Sequence, residues 1–448
     1  MEWLLDIFNI KADKAAIIDH DRIFTFNSLA ENVGIYYKKI KTSIPESSTV
    51  ALVSDYSFYS IAAFLALIRN KNIVSPLIDS TQAERDKKLE KGGIQYMINV
   101  DDAGNLAFTT LKPGSKSPLI LDLKKQKHAG LILFSSGTTG EPKAMVHDLT
   151  RMVESYRDKR ARNLRMLVFL MFDHIGGLNT LLNCLASTTT IVLTPARDPE
   201  NICRLIEKHQ VNILPTTPTF LNILLLSGAY EKYNLASLKL ITYGTEFMPE
   251  NLLVRLNAAF PRAKFLQTFG TSETGIAETQ SFSSTSNLIK ITGDEVQYKI
   301  VDGELYLKGK NQVLGYLSGD QSKFEAGWFK TGDVVEEAEV GYLRILSRMD
   351  DIINVGGEKV FPSEIENALL GFSFIKECVA YGLKNPITGE TVALDVALIP
   401  GKDAKTAKKE IRKYCLQNLA PYKVPSKITF VEDIGVSSRF KKSRKGSL

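Results

Sequence analysis

Cysteine is scarce in this chain, and its four copies, Cys184, Cys203, Cys378 and Cys415, stand far apart with neither C-x-x-C nor zinc-ligand spacing. That pattern excludes a disulfide scaffold and a cysteine-based metal site, and leaves buried, reduced thiols as the expectation. Long apolar runs are missing too. No uninterrupted stretch could span a bilayer, and the start, MEWLLDIFNIKADK, carries early acidic residues, no basic n-region and no small-residue cleavage site. A soluble, cytoplasmic protein is expected. Internal repeats and low-complexity segments are absent, as is the G-x-x-x-x-G-K-[ST] order of a Walker A loop, which argues against a P-loop nucleotide hydrolase. Charge of one sign is in small excess, 56 Lys and Arg against 50 Asp and Glu, for a net +6. Its one concentration, Arg439 to Lys445 (RFKKSRK), would suit nucleic acid or the phosphates of a small ligand, and no RNA- or DNA-binding motif accompanies it.

What is present is length and alternation. At 448 residues the chain exceeds one compact core, so two or three domains are expected. Over the first two thirds, short apolar strands alternate with amphipathic helices. Thr49 to Val53 reads as a buried strand, Ser57 to Arg69 as a helix and Asn72 to Ile78 as the next strand. A strand ending at Phe26, a cap at Asn27, and Leu29, Val33, Tyr36 and Ile40 on one face mark an earlier helix. Further strands are expected at Thr190 to Leu193, Asn212 to Pro215, Leu238 to Gly244 and Lys264 to Phe269. The fold class is therefore α/β, with layered and largely parallel sheets. After about Asn287 the texture turns to short strands, with Asp302-Gly303 a hairpin signal, so a small β-rich subdomain should close the large N-terminal domain. Beyond Arg348 comes a compact α+β unit, with a helix from Pro362 to Leu370, strands Cys378 to Leu383 and Val392 to Ile399, and a helix near Lys405 to Leu419. The boundary is placed at residues 349 and 350.

Chemistry is concentrated in Ser135 to Lys143 (SSGTTGEPK), which comes after the apolar run Leu131 to Phe134. Gly137 and Gly140 allow a tight turn and close backbone approach to an anion, Ser135, Ser136, Thr138 and Thr139 supply hydroxyls, and Lys143 supplies a charge. A polyphosphate is the implied ligand. The whole run resembles the phosphate loop of the adenylate-forming superfamily, which contains acyl-CoA synthetases, peptide-synthetase adenylation domains and luciferases. Further segments match that superfamily in order along essentially the whole chain.

The resemblance implies roles for particular residues. In Ile241 to Met248 (ITYGTEFM), Gly244, Thr245 and Glu246 would lie along adenine; in Thr268 to Gly275 (TFGTSETG), Ser272 would meet the α-phosphate and Glu273 would help hold magnesium. That motif carries Phe269 where Tyr is usual and Ser272 where Thr is usual, with Gly270 between them. Within Trp328 to Val335 (WFKTGDVV), Asp333 would grip the ribose, aided by Arg348. In the run from Arg348 to Glu366, Asp350 matches the hinge of a mobile C-terminal domain, and Gly356 and Gly357 match the segment that lines the pantetheine tunnel. By the same resemblance the tail would hold the catalytic lysine. Lys441 with Arg444 has the family spacing and is preferred to Lys442 with Lys445, although Phe440 replaces the usual glycine. Met171 to Leu181 (MFDHIGGLNTL) resembles the stretch whose histidine, here His174, sits near the acyl pocket, to which Gly176, Thr217, Phe220, Tyr243, Gly270 and Gly275 would also contribute.

Taken together, the resemblance implies an AMP-forming acid–thiol ligase, using ATP and Mg2+ to make an acyl-adenylate and then passing the acyl group to coenzyme A. Catalysis would rest on Lys441, Glu273 and Lys143. The run Gly-Gly-Glu-Lys-Val at residues 356–360 leans towards coenzyme A over a carrier protein's phosphopantetheine arm, the runner-up acceptor. A non-catalytic or nucleic-acid-binding relative is the reading from another class. The acid is expected to be small, aryl or medium-sized acyl rather than a free amino acid, with no membrane and no nucleic acid as partner.

Overall fold

The computed structural model describes residues 1–78, 81–111, 117–136, 142–318, 321–339, 341–435, 437 and 442. Two seven-stranded sheets form the body. The first runs in the order Lys264–Gln267, Leu240–Tyr243, Ile213–Thr216, Arg165–Val168, Thr190–Leu193, Ala15–Asp19, Arg22–Thr25, parallel except for the last pair. In the second, Gly130–Ser136, Ile73–Leu77, Thr49–Val53 and Tyr96–Val100 are parallel. Antiparallel strands flank them, Pro142–Asp148 and Gly315–Tyr316 on one side and Leu106–Thr110 on the other.

The strands are apolar at consecutive positions because both faces are covered. Met166 and Val168 enter the core shared by the two sheets while Leu167 enters the layer beyond; Leu131 and Leu133 likewise point inward and Ile132 and Phe134 outward. Helices Glu2–Ile10, Phe26–Ser43, Phe58–Arg69 and Ile175–Ala186 fill the shared core. Asn27 is not the cap expected for the second of these. Thr25 accepts from the Ser28 amide, and Phe26 already belongs to the first turn. The reason is burial: Phe26 is fully enclosed and continues the stripe of Leu29, Val33, Tyr36 and Ile40. Among the described residues no helix is long and apolar enough to cross a membrane.

A third, mostly antiparallel sheet covers residues 269–348, and its hairpin Val296–Val301 with Glu304–Gly309 turns on Asp302 and Gly303, both at positive φ. The fourth sheet contains Ile353–Val355, Glu358–Val360, Ile375–Asn385, Gly389–Leu398 and Lys427–Val431, with helices Pro362–Leu369 and Ala404–Asn418. Its core, from Ile353 to Ile428, is separate from the others, so the chain ends in a C-terminal domain of its own. That domain packs against the body through side-chain hydrogen bonds. Asn251 Nδ2 donates to the Asn367 carbonyl at 2.9 Å, and Ser363 Oγ donates to the Leu346 carbonyl.

Candidate active site

The site begins where parallel strands end. Strand Leu240–Tyr243 runs into Gly244 and strand Lys264–Gln267 into Thr268, whose amide and hydroxyl both donate to the Tyr243 carbonyl at 2.7 and 3.1 Å. The two chains lie so close that a Cβ on Gly244 would stand 2.7 Å from the Thr268 carbonyl oxygen. Gly270 is tighter still, with 2.3 Å from such a Cβ to the Gly275 oxygen. Thr245 adopts φ of 71°, a left-handed conformation costly for a β-branched residue. Beyond Phe269–Thr271, the Thr271 hydroxyl accepts from the Thr274 amide at 3.1 Å, and this turn presents Ser272 and Glu273 half-exposed.

Glu273 then meets the second sheet. The Tyr316 hydroxyl donates to Glu273 Oε1 at 2.7 Å, and Lys143 Nζ lies 6.0 Å from the centre of the Tyr316 ring. Tyr316 is placed by pairing opposite Met145, and the Val313 amide donates to the Glu273 carbonyl at 2.7 Å. Burial, and after it the charge of Glu273, holds the Tyr316 hydroxyl well above its ordinary pKa, so it remains a donor. Lys143 stands opposite Ser135 on the adjoining strands. Gly137, Thr138, Thr139 and Gly140 lie outside the described residues, as does the side chain of Ser136.

The two residues expected at the ribose, Asp333 and Arg348, lie together. Asp333 and Arg348 are register partners on strands Trp328–Glu339 and Tyr342–Arg348, with Arg348 Nε 2.8 Å from Asp333 Oδ1. Arg348 Nη1 also donates to the Thr331 carbonyl at 2.8 Å, and the Thr331 hydroxyl accepts from the Asp333 amide at 3.0 Å. Asp333 is only 5% exposed. Burial raises its pKa, with Arg348 opposing.

On the acid side, His174 is the N-cap of helix Ile175–Ala186, its Nδ1 accepting from the Gly176 amide at 3.1 Å. Thr217 caps helix Pro218–Ser227 in the same way, accepting from Phe220. Phe220 and Tyr243 belong to the apolar layer outside the first sheet, where the Phe220 ring stacks at a tilt on Phe169 with centroids 4.4 Å apart. Gly275, at φ 78°, has open space where a Cβ would be. In the C-terminal domain Asp350 is exposed in the turn Met349–Asp351, and Gly356 and Gly357 form an exposed turn at positive φ, with the Gly356 amide donating to the Thr388 carbonyl at 2.9 Å. Lys441 lies outside the described residues.

Lys442 is described, and it reaches the nucleotide segments. Its amide donates to Glu246 Oε1 at 2.8 Å, while its ammonium pairs with Glu377 Oε1 at 2.7 Å. Tyr316, Thr219, Asn222 and Glu377 were not singled out by the sequence. Tyr316 sits in a two-residue strand and the other three make their bonds across long stretches of chain, so no periodicity marks them. Only the Gly-Tyr after Val313-Leu314 offered a local signal for a paired edge.

Strand-end loops carrying a lysine, a half-exposed carboxylate and a buried Asp paired with an Arg are an arrangement suited to nucleotide handling in a layered α/β fold. The chain belongs to the AMP-binding enzyme family: the family model matches residues 8–317, and the model for the AMP-binding enzyme C-terminal domain matches residues 364–441. Among curated relatives, a 2-succinylbenzoate–CoA ligase of Bacillus pumilus is 27% identical over 96% of this chain and 94% of its own length. Among solved structures, the o-succinylbenzoate CoA synthetase of Bacillus subtilis with its acyl-adenylate intermediate has a TM-score of 0.81 at 23% identity, covering 99% of this chain and 97% of that one. ATP-bound MatB from Rhodopseudomonas palustris has a TM-score of 0.83 at 21% identity, covering 98% and 96%.

Proposed function

We propose that this protein is an AMP-forming acid–CoA ligase, which activates a carboxylic acid with ATP and passes the acyl group to coenzyme A. The observation that carries the reading is the meeting of Lys143 and Glu273 on either side of Tyr316. One sheet supplies a cation for phosphate and the other a carboxylate for a hard metal ion. Among the described residues no group of three or more His, Cys, Asp or Glu could hold a metal unaided. A single half-exposed carboxylate fits magnesium that arrives on polyphosphate oxygens and keeps most of its other ligands. When bound, that ion would neutralise charge building on the leaving pyrophosphate.

The chain's own residues divide the rest of the work. Gly244 and Thr245 line the base, Asp333 and Arg348 hold the ribose, and Ser272 and the hydroxyls of residues 135–139 take the phosphates. The substrate carboxylate attacks the α-phosphorus, the bond to pyrophosphate breaks, and Lys441 steadies both anions at the centre. The acid pocket draws on His174, Gly176, Thr217, Gly270 and Gly275, with Phe220 and Tyr243 as its rigid backing. The Bacillus pumilus relative is a ligase of 2-succinylbenzoate, and an aryl or medium-sized acyl group suits this mixture of small, hydroxyl and aromatic positions. The domains divide at residues 349 and 350, and the C-terminal domain turns about Asp350 to bring Gly356 and Gly357 to the thiol. The exposed Gly356 turn, together with Lys442 at Glu246, supports assigning the present arrangement to adenylation.

The test is magnesium-dependent pyrophosphate release from ATP across aryl, fatty, hydroxy and amino acids, each with and without coenzyme A. Release with one acid class and a thioester in the coenzyme A wells is the expected outcome. Release without any thioester would move the acceptor to a carrier protein, and failure to bind ATP would overturn the reading.

A further inference from the structure

The tail's contacts form a closed circuit that the adenylation chemistry does not itself require. Thr219 and Asn222 lie one turn apart on helix Pro218–Ser227 of the body. Thr219 Oγ1 donates to Glu246 Oε2 at 2.7 Å, and Asn222 Nδ2 donates to Glu377 Oε2 at 2.9 Å. The other oxygen of each carboxylate meets Lys442: Glu246 Oε1 accepts its amide at 2.8 Å, and Glu377 Oε1, which also takes the Cys378 amide at 3.0 Å, accepts its ammonium at 2.7 Å. Glu246 belongs to the nucleotide segment of the body and Glu377 to strand Ile375–Asn385 of the C-terminal domain. The charged partners are enclosed, with side-chain exposures of 14% for Lys442 and 12% for Glu377.

We infer that Lys442 is a positioning residue, a clasp that fixes the C-terminal domain on the nucleotide site for the first half-reaction. Lys442 joins Glu246 of the body to Glu377 of the C-terminal domain and so completes the circuit that the direct Asn222–Glu377 bond leaves open. The ammonium is committed to Glu377. Burial works against its charge, but Glu377 and then Glu366 more than offset that and keep it protonated above the ordinary lysine value. A lysine held in this way is not free to attend a reacting carboxylate, which separates its role from that of Lys441. Breaking the clasp frees the domain to turn, so its disruption should weaken adenylation and leave the second step alone. The inference rests on the proposed ligase reading for its kinetic arm only.

Two readouts test it on the full-length chain. In the first, Lys442→Met and Glu377→Gln should each lower acid-dependent pyrophosphate release roughly tenfold or more, leave thioester formation from supplied acyl-adenylate unchanged, and combine without further loss. Additive losses or wild-type release would overturn the clasp. In the second, cysteines replace Asn251 and Gly371, which face each other across the same junction: a Cβ on Gly371 would lie 3.8 Å from Asn251 Cγ. Oxidative crosslinking of Asn251→Cys with Gly371→Cys should be rapid in the parent and severalfold slower with Lys442→Met added. Equal rates would overturn the clasp whatever the kinetics. Lysine-dependent crosslinking in a chain that activates no acid would support the clasp while sinking the proposed reaction.

Discussion

The strand-end segments around Gly244 and Asp333 and the lysine that reaches across to Glu246, Lys442, are held by different means. Asp333 and Arg348 are register partners, and Gly244 and Thr268 follow directly on the paired strand ends Tyr243 and Gln267, backed by a core that excludes water. Lys442 is held by one amide and one ammonium. A ladder loses little when one side chain changes, whereas a clasp of two bonds can open as a unit. On the proposed reading, the rigid half would preorganise charges for the adenylate and the weak half would leave when the second reaction needs the space. Substitutions on the two sides should differ in kind, with binding affected on the strands and one half-reaction affected in the tail.

The largest effect is expected in the tail. Lys441→Ala should lower adenylate formation on the order of 100- to 1,000-fold while sparing thioester formation from supplied acyl-adenylate, measured by pyrophosphate release and by thioester appearance. Equal loss in both steps would erase the contrast between the two halves. Next comes Gly270→Ala, a test of how unforgiving the strand side is. Its new Cβ would press on the Gly275 carbonyl at 2.3 Å, and backbone cannot swing aside as a side chain can. A loss of roughly 1–3 kcal/mol in stability, with weakened ATP binding, is expected by denaturant titration and calorimetry.

Asp333→Ala should raise the KM for ATP about 10- to 100-fold with less change in turnover, since the ribose is remote from the bond that breaks. Loss of turnover with unchanged KM would argue that the Asp333–Arg348 pair only braces its hairpin. Tyr316→Phe sharpens the comparison further. It removes the hydroxyl that orients Glu273 but keeps the ring beside Lys143, so about a tenfold rise in the magnesium concentration needed is expected, with ATP binding in the absence of metal unchanged.

Much of this was legible in the sequence, for a physical reason. Strands Thr49–Val53 and Thr190–Leu193 appear at the bounds expected because consecutive apolar residues buried on two faces leave no other reading. Asp302-Gly303 announced its hairpin because few other pairs tolerate two positive φ values. Asp333 and Arg348 could be paired by resemblance before the register joined them. Thr25 was missed as a cap because Phe26 reads equally well as the end of a strand or the start of a helix, and only burial decides. The clasp was not legible at all. Lys442 and Glu377 are 65 positions apart, and a lysine in a basic run looks like solvated charge until a carboxylate is brought to it.

The effect that is smallest at neutral pH probes the rigid half away from its chemistry. His147, on strand Pro142–Asp148 behind the phosphate segment, is buried, and neither ring nitrogen has a hydrogen-bond partner among the described residues. Burial lowers its pKa to about 4. In the unfolded chain the imidazole returns to an ordinary value near 6.5, so between those two values the unfolded state binds the extra proton. Stability from this residue is thus complete above about pH 6.5 and declines as the pH falls towards 4, by on the order of 2 kcal/mol between pH 7 and pH 5. His147→Leu should remove that slope and leave the neutral-pH midpoint little changed, as read from urea titrations at the two pH values. A slope that survives the substitution would place the acid sensitivity elsewhere; Asp333 is not a candidate, because its raised pKa makes acid favour the folded state.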